Sequence, residues 1–362
     1  MTTTSPPPAP TPSGSRAERR LLSGPPATAR GPRSWAYALV TVNPPPGEPD
    51  WGTRWIVVTR AAVLPMTLFA GLVAGLLAVR ATGFRWADLV LAIVGVTLAH
   101  LNNNLTNDLF DSAVGLDVEG YPRTLYAPHP TQSGLVTRRQ LGAAIGLTTA
   151  GAVACGAVLL AHRGWAVLAF AVGGALLSIA YTAPPLRLKA HGLGEPDVLV
   201  VWGPLMVGGT YFSATGSLPW QVLLASLPYG LLCTSVLLGK HLDKAPYDVT
   251  SGTRTLPVIL GDSRGRAVTI ATLLAFYAAV VLAVALRALP WPTLVVALAV
   301  PRLVKVIGAL RAPRPTEPPP GFPVWPLWFA AVAFVHVRRA GALLVLGLLA
   351  AAVFDVGLPV GG

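Results

Sequence analysis

Of 362 residues, 53% are hydrophobic and only 12% are charged, about half the charged fraction of an average soluble domain. That balance excludes an ordinary water-soluble globule and fits a string of apolar runs near 20 residues, the length that crosses a bilayer. The net charge of +12 does not indicate nucleic-acid binding, because the basic residues sit in an N-terminal arm and between apolar runs.

Residues 1–50 are rich in Pro, Ser, Thr, Ala and Arg and lack the apolar core of a secretory signal. With so little to bury, they are predicted to form a disordered cytoplasmic tail, although an acid-poor, Arg-bearing arm also matches organellar targeting segments. The folded domain is placed at 51–362. Nine apolar segments are predicted there, at 55–79, 86–106, 140–161, 164–181, 196–214, 220–238, 267–288, 292–310 and 340–358. Trp55, Trp86, Trp165, Trp220 and Trp291 lie near segment ends, at headgroup level. The stretch 325–335 is too short to span and predicts a helix lying against the membrane. Cys155 and Cys233 read as small hydrophobes without a disulfide.

Lysine and arginine are unevenly divided between the two sides. Arg123, Arg138 and Arg139 follow the second segment, Arg187 and Lys189 the fourth, and Lys240, Lys244, Arg254, Arg264 and Arg266 the sixth. Arg311, Arg314, Arg338 and Arg339 precede the ninth, whereas the opposite side offers only Arg80, Arg85, Arg163 and Arg287. This asymmetry predicts a multi-pass cell-membrane protein with a cytoplasmic N-terminus and an external C-terminus. Arg302 and Lys305 read as side chains that snorkel to the headgroups.

Two polar stretches interrupt this apolar plan. The first, NNNLTNDLFDSAVGLD, ends the second segment at 102–117. Asn104, Asn107, Asp108 and Asp111 recur at i, i+3, i+4 and i+7, which predicts one polar helix face. Such oxygen ligands suit a hard cation such as Mg²⁺, and through it a phosphate; the alternative is a solvated interfacial helix end. The second stretch, GKHLDKAPYDVTSGTRTLPVILG, ends the sixth segment. Asp117 precedes Arg123-Thr124-Leu125 as Asp248 precedes Arg254-Thr255-Leu256, and Asp111 and Asp243 lie near the ends of the same even-numbered segments. The pattern predicts an internal duplication facing two carboxylate clusters across a cavity. Mg²⁺ with Arg and Lys donors would make a diphosphate a good leaving group, while the apolar bundle accepts a hydrocarbon tail.

NDLFDSAVGLD at 107–117 is similar to the first motif of the UbiA superfamily of membrane prenyltransferases. SIAYTAPPLRLKAHGLGEPDVLVVWGPLMVGGTYF at 178–212 resembles the 1,4-dihydroxy-2-naphthoate prenyltransferase (MenA-type) branch, and TSGTRTLPVILG at 250–261 the end of the second motif. The resemblance runs from about 55 to 262. It implies an all-α integral membrane fold of nine transmembrane helices around a central cavity, with Mg²⁺ at both Asp motifs. It implies Mg²⁺-dependent transfer of a polyprenyl group from a polyprenyl diphosphate to an aromatic acceptor, 1,4-dihydroxy-2-naphthoate of menaquinone biosynthesis. A phenol, sugar phosphate or glycerol phosphate acceptor, or a non-catalytic lipid carrier of the same fold, is the alternative.

Carried over by position, Asn107, Asp108, Asp111 and Asp117 serve the first metal, and Asp243 and Asp248 the second. Arg123, Lys189, Arg254 and Lys244 face the diphosphate, and Tyr181 lines the cavity, where its ring can stabilise a cation or simply pack. Two departures stand out. Where the family has N-N-x-R-D, this chain has K-H-L-D-K at 240–244, displacing the carboxylate by one residue, or about 100° on a helix. A helix break at Pro246 would let Asp243 still reach the site; alternatively Lys240 or Lys244 replaces one metal charge. His129 also stands where the branch often has Arg.

Overall fold

The computed structural model describes residues 28–113, 127–320, 322 and 324–357, with the backbone alone described at 110–113. All regular elements among them are helical. Two short helices come first, α1 (Pro32–Thr41) and α2 (Trp51–Val58). Asp50 fastens both starts: its carboxylate accepts the Gly31 and Thr53 backbone N–H groups, each at 2.7 Å, and the Trp35 indole N–H at 3.1 Å. The Gly31 bond foremost, then that of Thr53, holds this carboxylate well below its ordinary range. Ser34 and Thr53 add a buried hydroxyl pair at 2.7 Å. Part of the stretch predicted as disordered tail is therefore helical, because Asp50 supplies caps that composition does not reveal.

The spans follow: α3 (Leu64–Ala78), α4 (Trp86–Ala113), α5 (Arg138–Arg163), α6 (Ala166–Thr182), α7 (Gly194–Thr215), α8 (Trp220–Thr250), α9 (Asp262–Ala285), α10 (Trp291–Arg311) and α11 (Trp328–Phe354). Eight of these, counting the turn that leads into α3, are long and apolar enough to cross a membrane; α6, at 17 residues, is a shorter apolar helix. The first predicted segment is cut at Arg60, which adopts a left-handed conformation (φ 54°), so that α2 and α3 are separate. In α7, the missing N–H of Pro204 coincides with a π-helical stretch, Val201–Gly208.

Two other boundaries differ from expectation. α8 continues through Pro228 and Pro246 for 31 residues, so Pro246 does not break it. Packing against α7, α9 and α11 holds the helical path, and Arg314 donates to the Asp243 carbonyl at 3.0 Å beside the proline. α11 is one helix from Trp328, absorbing the predicted surface helix and leaving Arg338 and Arg339 exposed within it.

α8 is the most buried span and α5 the least. Tyr211, Tyr229 and Phe276, all buried, fill the core between α7, α8 and α9. A Cβ at Gly239 would lie 2.7 Å from the Phe329 carbonyl oxygen and 2.8 Å from the Ala330 nitrogen, so glycine is what lets α11 start against α8. Trp86, Trp165, Trp220 and Trp291 are largely exposed at span ends, where indole rings suit an interface.

The end of the bundle away from the polar motifs is closed by buried Asp88. It accepts from Arg163 Nε at 2.9 Å and meets His162 Nδ1 at 2.7 Å. The Arg163 guanidinium also donates to the carbonyls of Gly83 and Ala214, joining α4, α5 and α7.

Candidate active site

The motif end is built around the last turns of α4. Three consecutive asparagines point three ways there. Asn102 donates to Thr149 Oγ1 of α5 at 2.7 Å, Asn103 Oδ1 accepts the Ser178 hydroxyl of α6 at 2.8 Å, and Asn104 donates to the Thr59 carbonyl at 3.2 Å. Asp108, one turn after Asn104, is fully buried and ion-paired with Arg60, and its backbone carbonyl meets His129 Nε2 at 3.1 Å.

The single polar face expected from the spacing is thus divided. Asn104 and Asp108 anchor α4 to the turn before α3, Asp108 through its ion pair with the Arg60 guanidinium. Asn107 remains half-exposed one turn below Asn103, on the side of α6. The Asp111 side chain, Asp117 and Arg123 lie outside the described residues, as does the first copy of the Asp-x5-Arg-Thr-Leu unit.

Opposite α4, three elements converge. Tyr181 near the end of α6 places its hydroxyl 3.5 Å from His241 Nε2 on α8, and His241 Nδ1 lies 2.8 Å from Glu195 Oε1 in the first turn of α7. His241 and Glu195 are buried. A Cβ at Gly194 would meet Tyr181 at 3.2 Å, the Lys189 Cα at 3.4 Å and His241 at 3.5 Å, so the bare glycine admits this convergence. Lys189 Nζ stands 6.0 Å from the Tyr181 ring centroid, at the outer reach of a cation–π contact. The Arg254 backbone N–H donates to the Ala190 carbonyl at 3.3 Å, tying the end of the second motif to the Lys189 turn. Glu195 Oε2, Asp197 Oδ1, Asp248 Oδ2 and Thr255 Oγ1 are buried with no hydrogen-bond partner, polar atoms open to a ligand.

The second motif departs further from expectation. Asp243 Oδ1 accepts the Phe329 N–H at 3.0 Å and Oδ2 the Ala330 N–H at 2.8 Å. Both oxygens therefore satisfy free amides in the first turn of α11, and Asp243 anchors the start of that helix. Lys244 Nζ lies 3.5 Å from Asp248 Oδ1. Among the described residues no three His, Cys, Asp or Glu side chains group closely enough to hold a metal ion. The spacing of motifs did not single out Arg60, Asn103, Ser178, Glu195 or His241. Glu195 and His241 stood inside quoted motifs, whereas Arg60 had no signal.

The profile of the UbiA prenyltransferase family matches residues 67–330. The chain is 26% identical to the 2-carboxy-1,4-naphthoquinone phytyltransferase of Synechocystis, over 79% of this chain and 86% of that protein. It is 31% identical to the 1,4-dihydroxy-2-naphthoate octaprenyltransferase of Haemophilus influenzae, over 73% and 87% respectively. Among solved structures, a UbiA homolog from Aeropyrum pernix K1 superposes with a TM-score of 0.54 at 19% identity, covering 81% of this chain and 98% of that one. With most of the chain matched in sequence and the bundle matched in fold, the protein belongs to the UbiA prenyltransferase family.

Proposed function

We propose that the protein transfers a polyprenyl group from a polyprenyl diphosphate to 1,4-dihydroxy-2-naphthoate, a step of menaquinone synthesis. The observation that carries this is the convergence of Tyr181, Lys189 and the His241–Glu195 pair, with Asn103 bonded to Ser178 one turn before Tyr181, in a chain similar over most of its length to naphthoate prenyltransferases.

The basic groups Lys189, Lys244 and Arg254 at this end oppose the diphosphate, joined by Arg123 of the first motif. Asn107, Asp111 and Asp117 are an all-oxygen donor set suited to Mg²⁺, which when bound supplies charge neutralisation to the leaving group. The allylic C–O bond breaks with its electron pair leaving on the diphosphate, and the acceptor ring carbon attacks the prenyl carbon. The ring then recovers aromaticity when the attacked carbon releases its proton, or its carboxylate as CO2, and the bonding pair returns to the ring. The Tyr181 ring faces the developing cation, with its hydroxyl set by His241, whose imidazole is oriented by Glu195. The apolar spans keep water from the cation.

Purified protein in lipid nanodiscs with Mg²⁺, dihydroxynaphthoate and a polyprenyl diphosphate should form a prenylated naphthoquinol detectable by mass. Diphosphate release with a phenol or glycerol phosphate, but none with dihydroxynaphthoate, would reassign the acceptor. The motif end is taken to face the cytoplasm. A cysteine replacing exposed Ser251 should react with an impermeant thiol reagent in inside-out vesicles only; labelling in right-side-out vesicles would reverse the orientation.

A further inference from the structure

The second motif carries a charge arrangement that narrows how the diphosphate is held. Lys244 and Asp248 stand one turn apart on α8 with Nζ 3.5 Å from Oδ1 and side-chain exposures of only 10% and 5%. Asp243, the other acid of this stretch, is turned away, its two oxygens held by the Phe329 and Ala330 amides. Asp248 keeps one buried oxygen, Oδ2, with no hydrogen-bond partner.

A magnesium ion needs a near-octahedral set of oxygens and commonly more than one carboxylate. Of the two acids in this motif only Asp248 remains, and it already neighbours an ammonium whose charge would repel a second cation. An ammonium is itself a compact positive charge with three N–H donors, suited to phosphate oxygens. Resting on the diphosphate reading above, we propose that this half of the site takes no metal. The Lys244 ammonium, positioned by Asp248, meets the diphosphate in its place, so divalent metal loads only at the first motif.

The test counts metal rather than turnover. The full chain in nanodiscs is titrated with Mn²⁺ and followed by electron paramagnetic resonance, in the presence of a prenyl thiolodiphosphate that binds without ionising. One Mn²⁺ per chain is expected. Lys244→Gln should still bind one Mn²⁺ but weaken the analogue by roughly tenfold to a hundredfold, the worth of a charged hydrogen bond; Lys244→Arg should keep most of the affinity. Two Mn²⁺ per wild-type chain, or unchanged analogue affinity in Lys244→Gln, overturns the proposal. Failure of the wild type to bind the analogue at saturating Mn²⁺ would instead remove the prenyl diphosphate reading, and this one with it.

Discussion

Aspartates that look alike in the sequence have separate jobs at this site. Asp108 and Asp243 are buried and already paired, one with Arg60 and the other with the first amides of α11. Asp243→Ala should therefore act on stability, costing about 1–3 kcal/mol for the amides left unpaired. A lowered melting temperature with the same number of bound metal ions checks this, and a lost metal ion at unchanged melting temperature would sink it. Asp111→Ala should do the reverse, abolishing turnover while the protein remains folded and inserted; near-normal activity would remove Asp111 from the site. Residue identities alone could not make this distinction. Spacing puts Asn104, Asn107, Asp108 and Asp111 within one stripe, and only the position of Arg60, some 48 residues away in the chain, decides which of them turn inward.

Helix existence was legible in the sequence and helix ends were not, for a physical reason. The apolar runs identify spans, but their limits depend on local and tertiary detail: the left-handed Arg60 after α2, Arg314 on a carbonyl beside Pro246 within α8, and Asp243 at the start of α11. Such long-range partners carry no periodic signal. Gly239 belongs to the same junction, four residues before Asp243 and on its helix face. Gly239→Ala would drive a methyl group against the α11 backbone, and should destabilise by about 1–3 kcal/mol as overpacked junctions do. Thermal unfolding in detergent measures this; a neutral result would mean that α11 can shift without loss.

For the whole molecule, the bundle closes differently at its two ends. The Asp88–Arg163 network fastens one end with charges that satisfy one another, whereas the motif end leaves Glu195, Asp197 and Asp248 each with an oxygen lacking a partner. The N-terminal segment belongs to this end through Arg60. Removing residues 1–27 should leave activity and expression intact, while removal through Arg60 should abolish both by taking the guanidinium from buried Asp108; full activity of the longer truncation would show that α1 and α2 are dispensable. The three asparagines of α4 have a consequence for how the site can vary. Consecutive helix positions differ by about 100°, so bonds from Asn102, Asn103 and Asn104 to three different neighbours determine the azimuth of α4 as a three-legged mount determines the aim of an instrument. Asn107 and Asp111, one and two turns further on, inherit that aim. A single-residue insertion upstream in α4 would turn all of them together, so the bearing of the first motif is a property of the helix and cannot be retuned one ligand at a time.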